Sequence, residues 1–146
     1  CPGRAIKMFG YDIDSIRREL PATLGKPDKG RTEPHVAAFI CSNVALSKKA
    51  DLPGNIKPVQ VHCASRIDTL DRVAAFEPGA GRAMAGHGGD SCKHQQVAAR
   101  VVKRIEHVRQ TMAALDIKPE ALGNVSGEGW HDALMEAVKA IPVRGK

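Results

Sequence analysis

Residues 36–41 read VAAFIC, a short apolar run with no polar position in it. A run of that length, without the alternation of a half-buried strand, fits a strand covered on both faces, as in the middle of a parallel sheet. A parallel sheet needs crossover connections, and the following sequence supplies them. IKPVQVHC (56–63) is a second strand, with Val59, Val61 and Cys63 alternating with Gln60 and His62. Residues 44–50 have weak helical character, and ADLPGN (50–55) is a turn. Ser65 is placed to cap a helix over 66–77, with Ile67, Leu70, Val73 and Ala74 on one face. EPGAG (77–81) ends that helix, and Arg82 to Gly86 form a short third strand of small residues.

The most regular element follows. Val97, Val101, Ile105, Val108, Met112 and Leu115 are spaced 4, 4, 3, 4 and 3, the period of one helix face. Arg100, Lys103, Arg104 and His107 lie off that stripe, toward solvent or a partner. ALGNVS (121–126) reads as a fourth strand. Trp130, Leu134, Val138 and Ile141 then mark an amphipathic helix stopped by Pro142. Repeated β-α units imply right-handed crossovers. The expected architecture is an α/β fold of flavodoxin or Rossmann type: a small, open, mostly parallel four-stranded sheet flanked by helices.

The alternating pattern occupies 35–146, and residues 1–34 differ from it. GYDIDSIRREL (10–20) suits a short helix capped by Asp12 or Asp14. PATLGKPDKGRTEP (21–34) has the proline, glycine and charge content of a linker. At the start, Cys1-Pro2 resembles the end of a bacterial-type ferredoxin cysteine run. Residues 1–34 are therefore expected to be the tail of a ferredoxin-like segment plus a linker, within a longer polypeptide. If that upstream motif exists, Cys1 is a [4Fe–4S] ligand.

The net charge of +6 suits nucleic acid, acidic lipid, an acidic protein partner or a solvated basic face. Aromatic residues are only 3 % of the chain, so base stacking is poorly served and no nucleic-acid partner is expected. No apolar stretch approaches the roughly 18–20 residues of a membrane span. Four cysteines without a secretory signal suggest thiols or ligands in a reducing compartment, hence the cytoplasm. The order and spacing of Ser, His, Asp and Glu match no hydrolase triad, zincin or phosphate-loop motif, so no bond-making catalysis is expected of this chain alone.

The chemistry concentrates at strand ends. Cys41 closes the first strand, Cys63 the second, and Cys92 follows the glycine-rich turn AGHGGDSC (85–92). In open α/β sheets the carboxyl ends of the strands are where ligands bind. His62, His87 and His94 lie nearby in sequence, and thiolates with imidazoles suit zinc or iron–sulfur centres. The metal-ligand candidates are Cys41, Cys63, Cys92, His87 and His94. Gly86, Gly88 and Gly89 let the backbone of loop 86–91 turn its N–H groups toward a ligand, and Asp90 or Ser91 suits a helix cap.

These segments resemble one family, the iron–sulfur delta subunit of methyl-viologen-reducing hydrogenase, often fused to the flavin-containing component of heterodisulfide reductase. The resemblance covers about 35–141. It rests on AFICSNVALSKKADL (38–52), VHCASRIDTLDRVAAFEPGA (61–80) and AGHGGDSCKH (85–94) followed by the long basic helix. It implies a [2Fe–2S] cluster passing electrons from a hydrogenase or formate dehydrogenase subunit to a flavin- and iron–sulfur-containing reductase subunit. By position, Cys41, Cys63 and Cys92 are the retained family cysteines. Val44 stands where the first motif has its second cysteine, and Gly86 where the last motif has its first. Three cysteines leave a cluster one thiolate short unless His87 or His94 completes the set, as in Rieske-type centres.

The principal expectation is an electron-transfer module of a larger oxidoreductase complex, with a [2Fe–2S] cluster on these residues. The alternative is a cluster-free docking domain of such a complex. A third reading is a phosphate- or nucleotide-binding domain using loop 86–91.

Overall fold

In the computed structural model, the described residues are 13–25, 35–42, 44, 52–88, 92, 95–114, 118–127 and 129–140. The chain runs α1 (Ile13–Leu24), β1 (His35–Cys41), β2 (Ile56–Val61), α2 (Thr69–Ala74), β3 (Ala80–His87), α3 (Gln95–Ala114), β4 (Leu122–Ser126) and α4 (Trp130–Lys139). The four strands form one sheet in the order β2-β1-β3-β4. Every pairing is parallel, so the expected α/β class holds and the sheet is parallel throughout. The chain leaves β1 toward β2 and then returns to place β3 on the other side of β1. That reversal makes a topological switch point at the carboxyl ends of β1 and β3.

The apolar run is what makes β1 central. Val36 to Cys41 are all buried, because α-helical layers cover both faces of the strand. Ala37 and Phe39 enter one core cluster with Ile16, Leu20 and Leu24 of α1. Val36, Ala38 and Ile40 enter the other with Trp130 and Leu134 of α4. Helix α3 serves both, giving Val101 and Ile105 to the second cluster and Val108 and Met112 to the first. Those four residues of its stripe are buried as the spacing predicts. Strand β2 is at the edge and carries Pro58, in register with Ala38; a residue without an N–H is tolerated where only one side of the strand is paired.

Four expectations need correction. The third strand is not a short one: β3 spans Ala80–His87 and pairs on both sides. Its small residues allow the tight approach of neighbouring layers, which a propensity reading undervalues. β2 ends at Val61, so Cys63 sits just beyond it, leading into a 3-10 turn over Ala64–Arg66. The helix expected over 10–20 continues through Pro21 to Leu24, because the core contacts of Leu20 and Leu24 outweigh the missing N–H.

The helix expected over 66–77 is reduced to Thr69–Ala74 and turned over. Leu70 is 61 % exposed and Val73 38 %, while Asp71 and Arg72 are buried. Ile67 and Ala75 still reach the core. The reversal follows from the hydrogen bonds made by the two charged side chains, described below. Residues 45–50 of the helix expected over 44–50 lie outside the described residues, as do Leu115 and Ile141.

Candidate functional site at the carboxyl edge of the sheet

Because the sheet is parallel, all four strands deliver their last residues to one edge. Cys41 ends β1 there. Its sulfur is buried and donates to the His62 carbonyl at 3.4 Å, and Ser42 Oγ donates to the same oxygen at 3.0 Å. With the Ser42 amide donating to the Val61 carbonyl at 2.8 Å, these bonds fasten the loop after β2 to the end of β1. The chain then turns tightly, the Val44 amide donating to the Cys41 carbonyl at 3.0 Å. Val44 is 4 % exposed and packs in the same apolar cluster as Cys41. The His62 side chain itself is exposed.

Cys63 is half-buried, with its sulfur 3.1 Å from Ser65 Oγ. Its carbonyl accepts from the Arg66 amide at 3.0 Å, which closes the 3-10 turn.

His87 ends β3 and is 5 % exposed. Desolvation by burial lowers its pKa from the usual imidazole value, so it is held neutral. Its carbonyl accepts from the Gly127 amide at 3.2 Å, tying the end of β3 to the turn after β4. A Cβ on Gly88 would sit 3.5 Å from the backbone and Cβ of Cys92, so Cys92 folds back over the glycine. A Cβ on Gly86 would meet nothing nearer than 3.8 Å; packing does not demand glycine at that position. Gly89, Asp90, Ser91, His94 and Cys1 lie outside the described residues.

At this edge Cys41 and His87 end their strands, Cys63 lies just beyond β2, and Cys92 sits against Gly88. Among the described residues, however, no three His, Cys, Asp or Glu side chains are close enough to hold a metal ion. The donor set departs from a four-thiolate centre in the same sense. By the resemblance, two family cysteine positions are held by Val44, buried in the core, and Gly86, and the Cys41 thiol faces a backbone carbonyl.

A polar group the sequence reading missed lies behind the 3-10 turn. Asp71, fully buried, accepts from Arg17 Nε at 2.7 Å and from the Asp68 amide at 3.1 Å. Arg72 is 1 % exposed; its Nη2 donates to the Ala64 carbonyl at 3.3 Å, and its Nε and Nη1 have no partner. Burial, and next the nearby charge of Arg104, push its pKa down to about 10, against an upward pull from Asp68 and Asp71. The only trace in the sequence is spacing: Ala64, Asp68, Asp71 and Ala75 repeat at helical intervals beside the apolar residues.

Two comparisons bear on these residues. The sequence model of the family described as methyl-viologen-reducing hydrogenase, delta subunit, matches residues 36–139. A search of curated proteins found no match. The matched span takes in all four strands, but for His35 at the start of β1, and the carboxyl edge.

Proposed function

The chain belongs to the methyl-viologen-reducing hydrogenase delta-subunit family, whose role is in hydrogenase- and heterodisulfide-reductase-type electron transfer, and from that premise we propose that it is a cluster-free docking domain of such a complex. Its partner in this reading is a flavin- and iron–sulfur-containing reductase subunit, with a hydrogenase or formate dehydrogenase subunit on the donor side. Val44 carries the reading. A cluster ligand must present a thiolate or an imidazole to iron; at the position where the resemblance places one, this chain has a hydrocarbon side chain packed among Cys41 and the core. Replacing a ligand by a core residue converts an electron-transfer edge into a structural one while leaving the helical faces for assembly.

Iron and acid-labile sulfide analysis with a visible spectrum, on anaerobically prepared protein, tests the proposal. The expected outcome is colourless, folded protein without stoichiometric iron. About two irons and two sulfides per chain, lost in Cys63→Ala, would overturn it and assign electron transfer to the retained cysteines.

A further inference from the structure

Where α2 and the turn before it lie against α3, the protein presents apolar and basic groups together. Leu70 and Val73 are exposed on a helix that buries its charges, the reverse of what water favours. Along one flank of α3, Arg100, Lys103, Arg104 and His107 are exposed, at spacings that put them on one side of the helix. Arg104 joins this flank to the other: its Nη1 donates to the Ser65 carbonyl at 2.6 Å. Exposed Arg66 closes the same 3-10 turn. Asp71 is buried against Arg17, and Glu106, one turn from Lys103, lies 4.0 Å from Arg109.

Charge and polarity together select an occupant. We infer that the face centred on Leu70 and Val73, and bordered by Arg66, Arg100, Lys103 and Arg104, is the docking surface for a protein subunit offering an apolar contact ringed by carboxylates. Complementary charge steers and orients such an encounter, while the desolvated apolar centre holds it. A second copy of this chain would bring like charge to like. A nucleic acid would leave Leu70 and Val73 without an apolar cover. The inference rests on the docking reading above and specifies the face it uses.

The test mixes the full-length chain with the flavin- and iron–sulfur-containing reductase subunit of its complex. A carbodiimide, which joins ammonium to carboxylate without a spacer, then traps the contact. Mass spectrometry is expected to find Lys103 linked to an Asp or Glu of that subunit. The Leu70→Asp/Arg104→Glu double variant is expected to bind about tenfold more weakly or worse, and Leu70→Ser to lose affinity in the same direction by less. Val102→Asp, at an exposed site on the opposite flank of α3, binds as the parent does. If the subunit binds with Lys103 unlinked and the double variant as tight as the parent, this face is not the interface, and the docking reading survives. If the subunit does not bind at all, both fall. A Lys103 link to another copy of the chain, or a complex dispersed by nuclease, overturns the assignment of an acidic protein partner.

Discussion

Arg72 and Asp71 are sequence neighbours with opposite energetics. Both oxygens of Asp71 are used, one by Arg17 Nε and one by the Asp68 amide. Asp71→Ala leaves those donors unmatched inside the fold and is expected to lower unfolding free energy by about 2 kcal/mol, read by urea denaturation. Arg72 is desolvated with two nitrogens unmatched. Exchanging such a cation for an apolar side chain of similar length relieves that cost, so Arg72→Met is expected to raise stability by about 1–2 kcal/mol in the same assay. His87 gives a pH signature. Its folded pKa lies below the usual 6.5, so below pH 6.5 the unfolded chain takes up a proton that the folded one refuses. Stability is therefore complete above that pH and falls on acidification, by up to about 1.4 kcal/mol per pH unit until the folded pKa is reached. A urea series from pH 7.5 to about 5 checks this against His87→Phe, in which that component of the slope is expected to vanish.

Among the elements, those with an unambiguous period were legible in advance. VAAFIC fits a strand with both faces covered, and the 4-4-3-4-3 spacing of α3 fits one face of a helix. What resisted reading was decided by partners distant in sequence. β3 looked weak because Gly81, Ala83, Ala85 and Gly86 have little intrinsic strand preference, yet it is paired on both sides. α2 looked amphipathic in the ordinary sense because Arg17, from a separate helix, is invisible to a local pattern. At the site, the sequence puts Cys41 at the end of β1, as the structure does, while Cys63 lies beyond β2 and Cys92 in the loop after β3. That Cys41 points its thiol at a carbonyl and Val44 fills core depends on packing and could not be read from spacing. The close fit of β3 to β4 gives an element-scale prediction. A Cβ on Gly123 would lie 2.5 Å from Met84 Sδ and 2.7 Å from its Cε. Because those atoms end a flexible side chain, Gly123→Ala is expected to fold with a loss of about 1 kcal/mol. In a Met84→Ala background that loss should disappear in a double-mutant cycle.

Taken whole, the domain depends on a helix that precedes the family-matched span. α1 contributes Ile16, Leu20 and Leu24 to the cluster that covers one face of β1 and β2. Leu20→Ala is expected to cost about 2–4 kcal/mol, a large share of the roughly 5–15 kcal/mol that holds a domain of this kind folded. Thermal unfolding followed by circular dichroism would register it as a clear drop in Tm, with one transition retained. No helix among the described residues is long and apolar enough to cross a membrane, and the α2–α3 flank is the surface proposed above for assembly. Pro58 bears on how the protein behaves when it is crowded. An open sheet has a raw margin of backbone donors and acceptors on which further chains can stack without limit. Here one margin is interrupted by a ring that has no hydrogen to give. Concentrated solutions should therefore stay free of fibrils seeded at that border, leaving contacts between molecules to side chains, which recognise a shape and then stop.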